Sequence, residues 1–203
     1  MEIKERIRPW VQDLAMRIMD DLRPNTVGLA RGDVLEVGFG TGRNLPHYST
    51  EVRSVWGLDP MITRGVGPVE RRIEQSPFPV QRTTLSADEQ LPFDEARFDC
   101  VVTTWTLCSI PDPDTALREM RRVLKPGGLY LFLEHGRARE ARTARWQDRL
   151  NPIWTRLSEG CNLNRPIDEI VQRAGFELRS VDELEGKGPP IVSHLYRGVA
   201  TRG

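Results

Sequence analysis

Three glycines follow an apolar run in the stretch DVLEVGFGTGRNL. Gly38, Gly40 and Gly42 allow the backbone to come close to a ligand, as glycine-rich turns do where phosphates bind. Neither phosphate motif fits, because the dinucleotide fingerprint needs glycine where Arg43 stands and no Gly-Lys-Ser/Thr ends the loop. Glu36, an acid inside the apolar run, would repel a pyrophosphate and suits a cation. We therefore expect a ligand with a cationic amino-acid end.

A second acid, Asp59, ends the next apolar run, roughly 20 residues after the glycines. Doubly wound folds place an acceptor for ribose hydroxyls at this point. Glu36, the glycines and Asp59 together indicate an adenosine that carries a cationic amino acid, which describes S-adenosylmethionine. The structural alternative is that Glu36 caps local backbone donors and that Asp59 merely ends a strand.

Three histidines are the candidates for proton transfer. His135 ends the fifth predicted strand, on the rim where open parallel sheets hold their active sites. We expect it to act as a base or an orienting group with Glu134 behind it, and the alternative is a hydrogen-bonded residue of the rim. His194, near the start of the last strand, is a candidate for the same pocket or for a structural role, whereas His47 is expected at the surface.

The three cysteines are odd in number and show no CxxC spacing. The sequence therefore predicts neither a disulfide framework nor a zinc site, and no metal, in a reducing cytoplasm. Cys161 precedes a predicted helix, where thiol pKa values are lowered, so it is either a reactive residue or a small packed one. Cys108 is expected to pack near the cofactor, and no reaction step requires it.

Short apolar runs alternate with helical stretches along most of the chain. Continuous apolar strands separated by helices predict an α/β fold with a parallel sheet covered on both faces. An N-terminal amphipathic helix ends before Pro24, and a helix at 111–128 is capped by Asp112 or Asp114 and stopped by a Pro-Gly-Gly sequence. The predicted strands lie at 33–38, 53–59, 78–86, 97–105, 128–135, 176–184 and 191–201.

Composition narrows the class of partner. The chain has 203 residues with 29 Lys and Arg against 29 Asp and Glu, so no net field favours nucleic acid and no nucleic-acid partner is expected. It shows no signal-peptide apolar region and no run near the roughly 18 apolar residues that span a bilayer, so we expect a cytoplasmic protein. A single domain, 1–203, divides into an N-terminal helix (1–24), a cofactor-binding core (33–135), a substrate-covering insertion (136–164) and a closing helix and strands (165–201).

The insertion carries an amphipathic helix. Trp146, Leu150, Ile153, Trp154 and Leu157 recur on one helical face, and four arginines fall largely on the other. We expect a lid over an apolar substrate pocket. The alternatives are a helix packed on the core with a solvated basic face, and peripheral contact with a membrane surface.

The motifs VLEVGFGTGRNL, GLDP, SADEQLPFDEARFDCVVTTWTLCSIPD and ALREMRRVLKPGG occur in order between about residues 33 and 135. In this order they resemble the class I S-adenosylmethionine-dependent methyltransferases with a methyltransferase type 11 domain. The resemblance implies a Rossmann-like sandwich, with a seven-stranded, mostly parallel sheet whose last strand is antiparallel and the cofactor over the carboxyl ends of the strands.

The resemblance also implies a site for each part of the cofactor. The methionine part is cradled by Glu36, Gly38, Gly40 and Gly42. The ribose is bound by Asp59. The adenine side is formed by Met61, Ala87, Asp88 and Glu89. The sulfonium lies beside Thr104. The sequence departs from the family pattern at 65–68, on the adenine side.

The pieces LEHGRA, DRLNPIW, EGCNLNR and SHLYRGVA resemble a subgroup that includes the vertebrate microsomal alkyl-thiol methyltransferases. Those proteins begin with a hydrophobic anchor, which this sequence is not expected to carry. The subgroup implies methyl transfer to a small apolar acceptor, a thiol above all. The alternatives are a lipid or quinone methyltransferase and a non-catalytic S-adenosylmethionine-binding protein. TTWT after the fourth strand, in place of an N-P-P-Y-type motif, argues against nucleic-acid bases as acceptors.

Overall fold

The computed structural model describes residues 13–14, 16–60, 67–158 and 160–203. Most of the predicted N-terminal helix and the predicted adenine contact Met61 lie outside these residues. Two short helices precede the first strand: a 3-10 helix, Arg17–Leu22, and α1, Pro24–Val27. The 3-10 helix ends before Pro24, as the sequence predicts, and proline then opens α1 because its missing N–H costs nothing in a first turn.

Seven strands form one sheet in the order β3-β2-β1-β4-β5-β7-β6. Their bounds are β1 Gly32–Val37, β2 Val52–Asp59, β3 Val80–Thr84, β4 Phe98–Thr104, β5 Leu124–His135, β6 Phe176–Glu185 and β7 His194–Arg202. β1 to β5 pair in parallel, and β7 runs antiparallel to both of its neighbours. The seven-stranded, mostly parallel sheet with an antiparallel last strand is confirmed.

Apolar clusters cover both faces of this sheet. Successive residues of a strand belong to different clusters, as side-chain alternation requires: Leu35 lies in one cluster and Val34 in the other. The first cluster includes the fully buried Val101, Leu117, Met120, Tyr130 and Phe132. The second includes Val27, Val55, Cys100, Val102 and Leu131. The continuous burial of β1 and β4 explains why their sequences lack a polar face.

Helices connect the strands. They are α2 Gly67–Glu74, α3 Pro113–Val123, α4 Ala141–Leu157, α5 Ile167–Arg173 and α6 Pro190–Ser193. Asp112 caps α3 by accepting from the Thr115 amide at 3.0 Å, which settles the choice that the sequence left open with Asp114. The predicted Pro-Gly-Gly stop is wrong, because α3 ends at Val123 and Leu124 is already extended, so these three residues lie inside β5.

The register of β5 against β7 decides which side chains share a face. Glu134 pairs with Tyr196 and His135 pairs with Leu195. Paired residues of an antiparallel ladder project to the same face, and neighbours along a strand project to opposite faces. Glu134 therefore lies on the opposite face of the sheet from His135.

Gly198 provides a test of this register, because it pairs with Phe132 and a Cβ at that position would lie 2.1 Å from the Phe132 Cζ atom. Gly198→Ala is expected to lower the free energy of unfolding by about 1–3 kcal/mol, since the added methyl displaces the ring. Phe132→Leu removes apolar contacts by itself but makes room for that methyl. Urea unfolding of the wild type, both single variants and the double variant measures the coupling. We expect the double variant to lose less stability than the sum of the single losses, and strictly additive losses would contradict the register.

Candidate functional site

The three glycines of the loop after β1 serve different purposes. Gly38 has a φ of +79°, and a Cβ there would lie 1.9 Å from the Thr106 Oγ1 atom, so it permits close approach of the β4 loop. A Cβ on Gly42 would lie 3.2 Å from the side chains of Leu45 and Phe39. Gly40 has a φ of +52°, and none of the described residues places an atom within 4 Å of its missing Cβ. Of the three, Gly40 is the one that leaves room for a ligand.

Asp59 is tied to this loop. Its Oδ2 atom accepts a hydrogen bond from the Gly40 amide at 2.8 Å, and its side chain stays partly exposed at the end of β2. The second acid and the open glycine therefore lie together at the carboxyl edge of the sheet. The contact of Asp59 with a ribose remains a prediction.

Glu36 lies at the base of the same edge and is 1% exposed. Its Oε1 accepts from the Asn44 side-chain amide at 3.0 Å, and its Oε2 accepts from the Tyr48 hydroxyl at 2.7 Å. Burial outweighs these hydrogen bonds and the nearby charge of Arg23, and raises the pKa of Glu36 to about 7. Each carboxylate oxygen has a further lone pair, so the group retains the capacity to bind an ammonium.

Arg23 is a site residue that the sequence reasoning missed. Its Nη1 atom donates to the Asn44 Oδ1 at 2.6 Å and to the Thr104 Oγ1 at 3.2 Å. The guanidinium also lies 4.8 Å from the ring centroid of Trp105, and the residue is 4% exposed. The Glu36 carboxylate and the Arg23 guanidinium thus both bind Asn44. Their two opposite charges complement the ammonium and the carboxylate of an amino acid. Nothing in the local sequence distinguishes this arginine from the many others.

An ionic network joins the N-terminal segment to the glycine loop. Asp13 pairs with Arg43 at 2.8 Å and with Arg72 at 2.7 Å, and it accepts from the Thr41 hydroxyl at 2.7 Å. Burial alone would raise the pKa of Asp13, but the hydrogen bonds from Arg72, Thr41 and Arg43 prevail and lower it to about 2. Asp20 bridges Arg43 to Arg23. This network holds the Arg23 side chain in the site.

The predicted adenine side forms a turn after β3. Ala87 is 6% exposed and belongs to the core cluster, whereas Glu89 is exposed. Asp88 accepts from the Ser86 hydroxyl and from the Asp112 amide at 3.4 Å. The turn lies beside the N-terminus of α3, and its contact with adenine remains a prediction.

Glu134 has a structural task that the sequence did not indicate. It is fully buried, and its Oε2 accepts from the Thr106 amide at 2.9 Å and the Leu107 amide at 3.0 Å. Burial raises the pKa of this carboxyl to about 7. Because it faces away from His135, Glu134 does not stand behind the imidazole; it fixes the loop that follows Thr104.

His135 lies at the end of β5 beside two thiols and is 6% exposed. Its Nδ1 atom is 3.8 Å from the Cys161 Sγ, and that sulfur is 3.6 Å from the Cys108 Sγ. The Nε2 atom is buried and has no hydrogen-bond partner among the described residues. The hydrogen bond with Cys108 and the adjacent His135 lower the pKa of Cys161. The three residues are distant in sequence, so no spacing motif could reveal their meeting.

His194 does not join this group. It lies on the same face of β7 as Tyr196, the face opposite to His135, with its Nε2 atom 3.5 Å from Glu183 and its Nδ1 atom 3.7 Å from Glu185. Of the two alternatives for His194, the shared pocket with His135 is not found, because strand alternation separates the two side chains. His47 is half-buried rather than a surface residue, and burial lowers its pKa.

The insertion helix α4 docks differently from the prediction. Its buried residues are Ala144 and Gln147, and the Gln147 side chain bonds to the backbone of Ala138 at 2.8 Å and of Gly136 at 3.1 Å. Trp146 is 46% exposed, Ile153 60% and Leu157 79%. Leu150 and Trp154 of the same predicted face are half-buried, so this face is turned only partly inward, and the role of the helix as a lid remains a prediction.

None of the described helices has both the length and the apolar character needed to cross a bilayer. This statement covers residues 13–14, 16–60, 67–158 and 160–203 only.

Comparison with known proteins finds similarity to methyltransferases. A family model described as a methyltransferase domain matches residues 35–132. The chain is 34% identical over 155 residues to the Thiol S-methyltransferase TMT1A of Homo sapiens, covering 75% of this chain and 63% of that protein. It is 36% identical over 107 residues to a phosphatidylethanolamine N-methyltransferase of Cereibacter sphaeroides, covering 51% of each. The chain thus spans a little under two thirds of the length of its thiol S-methyltransferase relative.

A solved structure with the same fold carries another activity in its name. The [4+2]-cyclase SpnF superposes with a TM-score of 0.67 at 20% identity, over 91% of this chain and 79% of that one. The likeness establishes the fold. A shared fold does not determine the reaction, which depends on the residues of the site.

Gly40 allows a sharp test of the ligand cradle. Gly40→Leu is expected to abolish binding of S-adenosylmethionine in calorimetry, because the side chain fills the open space over the loop. Gly127→Leu is the matched control, since Gly127 has a φ of +71°, has nothing within 4 Å of its missing Cβ, and lies far away in β5. Both substitutions carry the same left-handed backbone strain of about 1–2 kcal/mol. Equal affinity in the two variants would exclude Gly40 from the site.

Proposed function

The chain belongs to the class I S-adenosylmethionine-dependent methyltransferases, and we propose that it transfers the methyl group to a small apolar thiol. The observation that carries the proposal is that the open cradle at Gly40 and the buried Nε2 of His135, which has no hydrogen-bond partner in the described part of the chain, lie at the same edge of the sheet. The loop after β4 connects the two, because Thr106 approaches Gly38 and Cys108 contacts Cys161 beside His135.

The donor would occupy the cluster of charges below the glycine loop. Its ammonium faces Glu36, and its carboxylate faces Arg23, which supplies the cation that a zwitterionic amino acid requires. The ribose lies at Asp59, which the Gly40 amide already orients. The adenine lies towards Ala87, Asp88 and Glu89, and the contact with Met61, which lies outside the described residues, remains a prediction. The sulfonium then lies beside Thr104.

The reaction is an in-line displacement on an activated methyl group. Positioning can supply much of the rate, and only the ionisation of the acceptor needs chemical help. A free thiol with a pKa of about 8.5 is a few per cent thiolate at neutral pH. His135 is placed to assist that ionisation, and Glu134 acts as a positioning residue through the Thr106 and Leu107 amides.

The relative named a thiol S-methyltransferase matches three quarters of this chain. This similarity supports a thiol acceptor. A cytoplasmic location remains a prediction. The free state of Cys100, Cys108 and Cys161 is in keeping with a reducing compartment.

A lipid acceptor is the second candidate, and the outer face of α4 favours it. Trp146, Ile153 and Leu157 project from a helix that also carries exposed arginines, which is the composition of a membrane-surface helix. The phosphatidylethanolamine N-methyltransferase relative points the same way. Binding to anionic vesicles that is weakened by Trp146→Ala and unchanged by Leu29→Ala, an exposed control elsewhere, would favour this candidate.

Labelled S-adenosylmethionine with a panel of alkyl thiols, phenols, amines and lipids, read by product mass, tests the proposed function. We expect the methyl thioether as the main product. His135→Ala should reduce turnover at least about tenfold while leaving donor affinity in calorimetry nearly intact, because the residue serves the acceptor only. His47→Ala is the matched histidine control. Lipid or phenol products without any thioether would contradict the thiol reading, and unchanged turnover would remove His135 from the mechanism.

A further inference from the structure

Three potential metal ligands converge at the acceptor end of the site. Cys108 comes from the loop after β4, His135 from the end of β5 and Cys161 from the loop after α4. The two sulfurs lie 3.6 Å apart, and the Cys161 sulfur lies 3.8 Å from the His135 Nδ1. One ligand atom from each residue falls within 4.8 Å of the others.

The fold holds these three groups in place. The Asn162 amide donates to the Cys108 carbonyl oxygen at 2.9 Å, and the Asn162 side chain donates to the same oxygen at 3.1 Å. Asn151 on α4 in turn accepts from the Leu163 amide at 2.7 Å. On the other side, Glu134 fixes the Leu107 amide. Both cysteine loops are thus anchored by hydrogen bonds that do not involve the thiols.

Two of the three separations between these ligand atoms match the geometry of a zinc site. With Zn–S near 2.3 Å and Zn–N near 2.0–2.1 Å, a tetrahedral site separates two sulfurs by about 3.8 Å and a sulfur from a nitrogen by about 3.6 Å. Both distances from the Cys161 sulfur lie within a few tenths of an ångström of these values. Two thiolates and an imidazole are the soft and borderline ligands that zinc prefers. Structural zinc sites have four protein ligands, whereas three leave a position open for a substrate.

We propose that Cys108, His135 and Cys161 bind a zinc ion whose fourth position takes the thiolate of the methyl acceptor. The inference rests on the proposed function and specifies how the acceptor is ionised, with His135 assisting as a metal ligand. The acceptor class is a thiol, because an open position on such a site binds a thiolate far better than a phenol or a lipid amine.

Charge balance makes the step self-consistent. Coordination releases the thiol proton to solvent, and two protein thiolates with one acceptor thiolate leave the site with a net charge of −1, opposite to that of the sulfonium. The acceptor sulfur then forms a bond to the methyl carbon, and the carbon–sulfonium bond breaks with its electron pair remaining on the donor sulfur. One anion and one cation become two neutral thioethers, and no redox change occurs. A thioether is a weak zinc ligand, so the product leaves.

Metal content is the first test. Protein purified with a phosphine reductant in place of thiols, and then given zinc chloride and desalted, is expected to retain about one zinc per chain by mass spectrometry. Cys108→Ser, Cys161→Ser and His135→Gln should each lose most of it. Cys100→Ala and His47→Gln are the matched controls and should keep it. Donor affinity in calorimetry identifies any variant that has failed to fold.

Cobalt(II) substitution of the unmodified protein tests the open position and needs no variant. We expect a sulfur-to-cobalt charge-transfer band and tetrahedral d–d bands, and butanethiol should shift the d–d bands while butanol leaves them unchanged. Absence of retained zinc, or a Cys108–Cys161 disulfide that persists in the presence of the phosphine reductant, would overturn the site.

The two proposals fail in different ways. Full methylation of butanethiol by zinc-free protein would overturn the role of the metal and leave the proposed function standing. Retained zinc and a thiol-dependent cobalt spectrum, with no methylated thiol formed, would support the metal site and contradict the proposed function.

Discussion

A carboxyl group buried in an apolar sheet imposes the main constraint on this molecule. Glu36 is 1% exposed on a central strand, and burial there disfavours its charge. Asn44 and Tyr48 supply hydrogen bonds to both oxygens, and Arg23 supplies the nearby positive charge. Such a group is costly to stability, so its presence at the edge of a ligand cradle indicates a function. The raised pKa leaves Glu36 poised to ionise when a cation arrives.

The strand order places the rest of the site around that carboxyl. Sequence-adjacent strands run outward from β1 in one direction, and β4 lies on its other side, so the direction of connection reverses between β1 and β4. Loops that leave the two strands diverge there and open a crevice at the carboxyl edge. Gly38 lets the β4 loop approach closely, and Glu134 fixes that loop from below. The loop after β4 thereby links the glycine loop to the group of His135, Cys108 and Cys161.

Local patterns sufficed to predict the sheet, the glycine loop and the position of Asp59, because each depends on residues that are neighbours in the chain. The face on which a residue of β5 or β7 lies depends on long-range register. For that reason the sequence analysis put Glu134 behind His135 and left the place of His194 open. The contact of Cys108 with Cys161 arises from loops more than fifty residues apart. Helix α4 shows a further limit, since amphipathic periodicity identifies an apolar face but does not tell which face docks.

The network on the N-terminal side had no signal in the sequence either. Arg23 enters the site because Asp20 and Arg43 hold it there, and these residues come together only in the folded chain. Charged residues this far apart in the sequence form no repeating pattern from which their contact could be predicted. The family resemblance covered the core motifs and did not reach this segment.

The affinity for S-adenosylmethionine between pH 5 and pH 7, measured by calorimetry, tests the central claim most directly. If the donor ammonium binds ionised Glu36, the dissociation constant falls about tenfold per unit as the pH rises towards 7, and protons are released on binding. The upper bound avoids titration of the donor amine, whose pKa lies near 8. Glu36→Gln should bind weakly and with no such slope. A wild-type affinity that is constant over this range would contradict the account.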